Sequence, residues 1–335
     1  MQYTTLGKTG LRISRLGFGG IPIQRADAKT ARRLFDMLAE HGVNYVDTAR
    51  AYTVSESYIG EAIRGRRRDF VLATKARPCT KAEMAEEIDR SLHDLGTDYI
   101  DLYQIHNPTP ERLAAACAEG GAVEALLESR RAGKILHIGL TAHSAEVFRR
   151  ALGLDWVETM MFPYSIVEDG AADMIAECGA RGIGFIAMKP LAGGAIRCAR
   201  TALRYVASNP AVSVVIPGMW SEEEVIANIE AANDTSPLTD DELREIAAVK
   251  SELDGAFCRR CGYCAPCTVG IDIPSVFLFD GYLTRYGLTD WAHERYAALK
   301  VRASECVECG ACETRCPYEL PIRRMIKDAS LRFDK

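Results

Sequence analysis

Long apolar runs are missing from this 335-residue chain, and no stretch of about 18 apolar residues is present to span a membrane. The opening segment, MQYTTLGKTGLRIS, lacks the hydrophobic stretch of a secretory signal. A dominant charge is missing too. The 41 basic and 46 acidic side chains leave a net charge of −5, with no basic excess to hold nucleic acid or an anionic membrane surface. Tryptophan is scarce, at 3 residues, and histidine numbers 6. At 48% hydrophobic the chain is too apolar for disorder, and its length suits one large domain with a small one. The expectation is a folded, cytoplasmic protein.

Cysteine is abundant, at 12 residues. Cys79, Cys117, Cys178 and Cys198 are scattered, whereas the other eight crowd between positions 258 and 316. A cytoplasmic chain is not expected to carry a disulfide framework, so the crowding points to metal or redox chemistry.

Up to about residue 230, short apolar runs alternate with amphipathic stretches. The runs are SRLGFGG, NYVDTA, FVLATK, DYIDLYQIH, ILHIGLT, WVETMMF, IGFIAMK and VSVVIPG. Most show no polar–apolar alternation, as expected of parallel strands buried on both faces. The stretches between them, such as AKTARRLFDMLAEHG with Leu34, Met37, Leu38 and His41 along one side, read as helices, several ending at glycine. Eight strand-then-helix units predict an α/β fold, a (β/α)8 TIM barrel, over residues 1–236. A doubly wound open sheet is the rival arrangement. A capping box of Thr239 and Glu242 opens a helical connector over 237–254. Residues 255–335 then form a small α-helical, ferredoxin-like domain.

Two cysteine runs mark that tail. The first is Cys258-x2-Cys261-x2-Cys264-x2-Cys267, and the second is Cys306-x2-Cys309-x2-Cys312-x3-Cys316-Pro317. The second matches the bacterial two-cluster pattern, in which the fourth cysteine of each run ligates the other cluster. The assignment is therefore two [4Fe–4S] clusters, one on Cys258, Cys261, Cys264 and Cys316, the other on Cys306, Cys309, Cys312 and Cys267. Two four-cysteine zinc sites are the alternative, although zinc prefers separated pairs to triplets.

Four residues of the barrel stand at strand ends or just beyond: Asp47, Tyr52, Lys75 and His106. Barrel active sites lie at the C-terminal ends of the strands, so all four are expected to converge. An ammonium beside a tyrosine stabilises the phenolate and lowers its pKa. Asp47 would orient Lys75, His106 would hydrogen-bond a carbonyl oxygen, and Tyr52 would donate the proton.

With these residues, the motifs GKTGLRISRLGFGG, VDTARAY, LATK, DYIDLYQIHNP, GKILHIGLTAHS, GIGFIAMKPLAGG and VSVVIPG resemble the aldo-keto reductase superfamily over roughly residues 1–235. With its tail, the whole chain resembles the iron–sulfur branch of that superfamily. The resemblance implies a nicotinamide cofactor, carbonyl–alcohol interconversion of a small molecule, and catalytic roles for the four residues. It places the cofactor near Gly20, Thr141, His143, Tyr164, Lys189, Pro217, Gly218, Met219, Glu224 and Asn228.

Several of those positions depart from the family pattern. Ala142 stands where an amide usually follows the hydroxyl of Thr141, and His143 comes next. Pro163-Tyr164-Ser165 replaces a Gln-Tyr-Asn. Gly218 and Met219 replace Lys and Ser, and Glu222, Glu223 and Glu224 follow, an acidic run that disfavours a 2′-phosphate and so favours NAD(H) over NADP(H). Nicotinamide moves two electrons and clusters move one. A flavin, in the pocket or in a partner protein, is one way to join the two, and a ferredoxin or a flavoprotein is the expected electron-transfer partner. Two other readings stay open: a cluster-driven reductase working without nicotinamide, and a non-catalytic redox-sensing or binding module.

Overall fold

The computed structural model describes residues 1–253, 255, 257–285 and 287–334. The chain divides into two compact units, Met1–Leu191 with Cys198–Leu243, and Ala192–Arg197 with Arg244–Lys335. The second unit thus includes a short segment that follows the seventh barrel strand, besides the C-terminal region. Asp254, at the end of the expected connector, lies outside the described residues.

The first unit opens with an antiparallel hairpin, β1 (Tyr3–Thr5) and β2 (Arg12–Ser14). Eight parallel strands follow: β3 (Gly17–Gly19), β4 (Tyr45–Asp47), β5 (Val71–Ala76), β6 (Ile100–His106), β7 (Ile135–Thr141), β8 (Thr159–Pro163), β9 (Gly184–Met188) and β10 (Val214–Ile216). Each coincides with one of the eight apolar runs, β5 and β8 extending one residue beyond theirs. They pair in sequence order, and parallel bridges from Leu16 to Val215 and from Gly19 to Gly218 close the ring. The helices around it are α1 (Ala28–Glu40), α2 (Ser55–Ala62), α3 (Lys81–Leu95), α4 (Pro110–Cys117), α5 (Ala122–Arg131), α6 (Ala145–Leu152), α7 (Ala172–Ala180), α8 (Ala199–Ala207) and α9 (Glu222–Asn233). The barrel is closed, and the open-sheet alternative is set aside.

Burial on both faces explains the strand sequences. Tyr45, Ala73, Leu102, Met161, Ile186 and Val214 fill the barrel interior, while Val46, Leu72, Tyr103, Ile138, Met160 and Phe185 face the helices. Each fully buried large apolar side chain contributes roughly 1.5–3 kcal/mol. The helices start on side-chain caps that the sequence supplies: Asp27 accepts from Thr30 N–H at 2.7 Å, and Thr80, Thr109, Ser144 and Ser221 cap α3, α4, α6 and α9. His41 differs from its expected place on the buried side of α1. It is exposed and caps the helix C-terminus, with Nδ1 2.9 Å from the Met37 carbonyl.

The hairpin has no counterpart in the sequence reading, because its short strands, YTT and RIS, are largely polar and form no apolar run. It drives fully buried Leu6 and Ile13 into the end of the barrel interior. Between its strands Gly7 takes a left-handed φ of +52°, and a Cβ there would lie 2.2 Å from the Gly184 nitrogen.

The connecting helix α10 (Asp240–Leu253) starts at the expected capping box, where Thr239 N–H donates to Glu242 at 2.8 Å and Glu242 N–H to Thr239 at 3.2 Å. The second unit adds α11 (Ile273–Thr284), α12 (Thr289–Ala297) and α13 (Ile322–Phe333). Their core contains Val276, Phe277, Tyr296, Ile326 and Phe333 together with Cys264 and Cys312. The Tyr296 and Phe333 rings stack at 4.3 Å, and the Tyr296 hydroxyl donates to Asp334 at 2.7 Å. Among the described residues no helix is long and apolar enough to cross a membrane.

Substituting Gly7→Ala is expected to destabilise the barrel by roughly 3 kcal/mol or more, since it adds both left-handed strain and a backbone clash. Urea unfolding followed by tryptophan fluorescence will measure it, and an unchanged midpoint would show that the hairpin does not plug the barrel.

Candidate active site and cysteine groups

Parallel register brings the C-terminal strand ends level. Asp47 lies beside Gly19 and Ala73, Lys75 beside Gln104, and His106 beside Thr141. Lys75 is 2% exposed. Its ammonium donates to Asp47 Oδ2 at 2.5 Å and to the Thr48 carbonyl at 2.7 Å. Gln104 Nε2 donates to Asp47 Oδ1 at 3.3 Å. Gln104 escaped the sequence reading, yet it sits two residues before His106 on the same strand face, and that alternation is the signal for it.

Tyr52 is half-buried beyond β4, where its ring centroid lies 5.0 Å from Lys75 Nζ and 6.1 Å from the His106 ring. All four predicted catalytic residues are therefore brought together. Their electrostatics are less simple than expected. Burial pushes the Tyr52 phenol up and the Lys75 ammonium pulls it back, with a net upward shift where the sequence reading expects a downward one. Burial also opposes the charge on Lys75, but Asp47 and Tyr52 outweigh it and hold the ammonium charged. His106 is pushed well below the ordinary histidine value by burial and by the nearby charges of Lys75, Arg77 and Lys189. Its imidazole is neutral at physiological pH, and among the described residues its buried Nδ1 has no hydrogen-bond partner.

The positions expected near a cofactor separate into two groups. Gly20 packs on the catalytic loop: its N–H donates to the Asp47 carbonyl at 2.8 Å, and a Cβ there would lie 2.6 Å from that oxygen. Thr141 is buried at the end of β7, where its hydroxyl oxygen accepts the Asn107 N–H at 3.0 Å. Asn107, with a φ of +50°, in turn accepts the His143 N–H at 3.0 Å. Lys189 Nζ lies 3.0 Å from His143 Nδ1. Pro217 accepts the Gly19 N–H at 2.9 Å, which leaves Gly218 at the rim, where a Cβ would meet Pro22 at 2.6 Å.

Tyr164 and Met219 pack instead in the layer between strands and helices. Tyr164 stacks on Tyr205 at 6.1 Å, and Asn209 donates to its hydroxyl at 3.4 Å. Met219 is fully buried. Glu224 caps its own helix by accepting the Trp220 N–H at 2.8 Å, and Glu222 pairs with Arg33. Asn228 is buried on α9. His137 Nδ1 lies 2.9 Å from Glu158 Oε1.

In the second unit the eight crowded cysteines form two groups. Cys258, Cys261 and Cys316 lie close enough to act on one another electrostatically, as do Cys264, Cys258 and Cys261. Burial pushes the Cys264 thiol up to about 12. The second group, Cys267, Cys306, Cys309 and Cys312, lines a single cavity with Thr268, and the Thr268 hydroxyl lies 3.2 Å from Cys309 Sγ. Sulfur donors in two sets of four suit two iron–sulfur cubanes. Among the described residues no three Cys, His, Asp or Glu side chains converge on a single-ion site.

A closed parallel barrel with Asp, Tyr, Lys and His at its rim, joined to a helical unit with two cysteine quartets, defines a two-part oxidoreductase. The chain belongs to the aldo/keto reductase family, whose profile matches residues 15–201, more than half of its length. A 4Fe-4S dicluster domain profile matches residues 257–321. The chain is 34% identical over 187 residues to the aldo-keto reductase YhdN of Bacillus subtilis, covering 50% of this chain and only 55% of that relative. It is 26% identical over 299 residues to the uncharacterized oxidoreductase YqkF of the same organism, covering 73% of this chain and 95% of YqkF. Among solved structures it resembles the holo form of aldo-keto reductase AKR11C1 from Bacillus halodurans, with a TM-score of 0.66, 28% identity, and coverage of 74% of this chain and 96% of that one.

The neutral state of His106 has a consequence for stability. An unfolded histidine takes up a proton near pH 6.5 and the folded one does not, so stability falls as pH drops below that value, by up to about 1.4 kcal/mol per pH unit. His106→Gln is expected to lack this component. Urea midpoints of the two proteins at about pH 7.5 and about pH 5.5 will show a smaller loss in the variant; equal losses would mean that folded His106 titrates normally.

Proposed function

We propose that the barrel interconverts a small-molecule carbonyl and its alcohol at Asp47, Tyr52, Lys75 and His106, and that two [4Fe–4S] clusters in the second unit exchange electrons with the barrel site or with a ferredoxin or flavoprotein partner. The observation that carries the reading is the buried ammonium of Lys75, locked to Asp47 at 2.5 Å and set against the Tyr52 ring. In the reducing direction Tyr52 gives its phenolic proton to the carbonyl oxygen. Lys75 stabilises the phenolate left behind, and Asp47 keeps the ammonium in place. Neutral His106 donates an N–H to the same oxygen as negative charge builds there. A reduced nicotinamide, when bound, supplies the hydride that the carbonyl carbon takes. His143, Lys189, Gly218 and Asn228 are the residues that would hold it. The acids that open α9 support NAD(H) over NADP(H), because a 2′-phosphate would meet like charge there.

A second reading is favoured by the outward packing of Tyr164 and by the bond that commits Thr141 to Asn107. In it the barrel pocket receives electrons from the clusters without nicotinamide, or through a flavin, and the same four residues manage protons. NADH added anaerobically to the cluster-loaded protein decides between them. Bleaching of the cluster absorbance, or NADH oxidation that depends on a carbonyl substrate, supports nicotinamide. Bleaching by dithionite alone, with no carbonyl-dependent NADH oxidation, supports the second reading. Under either reading Tyr52→Phe is expected to lower turnover about 100-fold or more with little change in KM. Retention of full turnover would remove Tyr52 from the proton transfer, and the absence of turnover in the wild type as well would point instead to a sensing module.

For the clusters, the grouping of Cys316 with Cys258, Cys261 and Cys264, and of Cys267 with Cys306, Cys309 and Cys312, supports crossed ligation. Cys316→Ser and Cys258→Ser are then expected to perturb the same cluster, and Cys267→Ser and Cys306→Ser the other. Each is expected to retain about half of the roughly eight irons of the intact protein. Iron analysis with paramagnetic resonance of the reduced proteins will sort the four variants into pairs, and pairing of Cys316 with Cys306 would overturn the assignment.

A further inference from the structure

A cavity of about 590 Å³ opens at the barrel rim beside His106, and Arg77 lines it. Arg77 follows Lys75 by two residues along the extended chain and so shares its face. Pro78 restricts Arg77 to extended backbone and helps to hold that direction. Arg77 is exposed, and among the described residues no carboxylate pairs with it. Two other arginines of the same wall are already committed: Arg50 pairs with Glu56, Glu87 and Asp94, and Arg90 pairs with Glu87. Arg112 adds a further cation, its Nη2 donating to the Arg77 carbonyl at 2.6 Å. Of the acids on the wall, Glu83 turns to the Thr80 hydroxyl at 2.8 Å and Glu87 is taken up by arginines, which leaves Glu86. The charge of Arg77 is felt by both Tyr52 and His106, and Lys189 adds to the field at His106. A guanidinium with no carboxylate partner among the described residues thus shares this cavity with His106.

We propose that the substrate is a carbonyl compound bearing an anionic group, a carboxylate or a phosphate, and that Arg77 receives that group while the carbonyl oxygen lies against Tyr52 and His106. A planar guanidinium binds either anion through two parallel N–H donors. The inference rests on the carbonyl–alcohol reading of the barrel and adds the chemical class of the substrate. Arg77 is a specificity-determining residue and takes no part in the proton transfer.

The test uses the full-length, cluster-loaded protein under anaerobic conditions with matched substrate pairs: a short 2-oxo acid against its methyl ester, and an aldose phosphate against the free aldose. Turnover is run with NADH and, separately, with dithionite-reduced clusters. In the wild type, one anionic member is expected to show the higher kcat/KM, and which pair does so separates carboxylate from phosphate. Arg77→Gln is expected to lower kcat/KM for that anion roughly 10- to 100-fold more than for its neutral partner, chiefly through KM, with Arg77→Lys recovering part of the loss. Equal losses for anionic and neutral members, or no anionic preference in the wild type, would overturn the inference while leaving carbonyl reduction standing. Calorimetric binding of the anions to the Tyr52→Phe protein covers the other case. If no carbonyl turns over but an anion binds and Arg77→Gln abolishes that binding, the anion site stands and the carbonyl reading fails.

Discussion

A fully buried ammonium costs several kcal/mol to desolvate unless a charge and hydrogen bonds meet it where it lies, and Lys75 imposes that requirement on the top of the barrel. Asp47 supplies the charge, the Thr48 carbonyl a further acceptor, and Gln104 steadies the carboxylate from the next strand but one. Removing either member of such a pair leaves the other charged and buried, at a cost of about 3–5 kcal/mol. The surroundings are correspondingly tight. Gly20 lies against the Asp47 carbonyl with no room for a side chain, and Ser55 joins the Thr48 hydroxyl to the Gly20 carbonyl. Below them Glu56, 2% exposed, is held by Thr74 at 2.7 Å and by Arg50.

This arrangement fixes the charge state of its neighbours. Burial, reinforced by the positive groups around it, keeps the His106 imidazole neutral, and a neutral imidazole can donate one N–H to a substrate oxygen without bringing a formal charge. Burial and the Asp47 charge oppose ionisation of the Tyr52 phenol, and Lys75, with a smaller contribution from Arg77, favours the phenolate. A single ammonium therefore links the acidity of the tyrosine to the integrity of the carboxylate beneath it.

The second unit answers a different constraint. Its hydrophobic core is small, and buried Cys264 and Cys312 form part of it. Burial keeps thiols such as Cys264 protonated in the absence of iron, so cluster assembly must displace protons as well as order the loops. The dicluster domain and the barrel belong to one oxidoreductase chain.

The barrel was legible in the sequence because each strand is buried on both faces and each helix on one, so local apolar patterns carry the topology. The four residues proposed for catalysis stood out because Asp47, Lys75 and His106 lie at strand ends with Tyr52 just beyond one, and the proposed cluster ligands because the thiolate spacing suits a cubane. The hairpin that plugs the barrel was not legible, since its strands are short and largely polar. Nor were the outward packing of Tyr164, the bond between Thr141 and Asn107, or the lack of a carboxylate partner for Arg77 among the described residues. Each depends on which side chains from distant segments arrive at the same place: Tyr205 beside Tyr164, Asn107 beside Thr141, and Glu56, Glu87 and Asp94 around Arg50 rather than Arg77. Local chemistry determined what the residues are able to do. Tertiary packing decided which of them are left free to do it, because partners in a folded chain are chosen by proximity in space and not along the sequence.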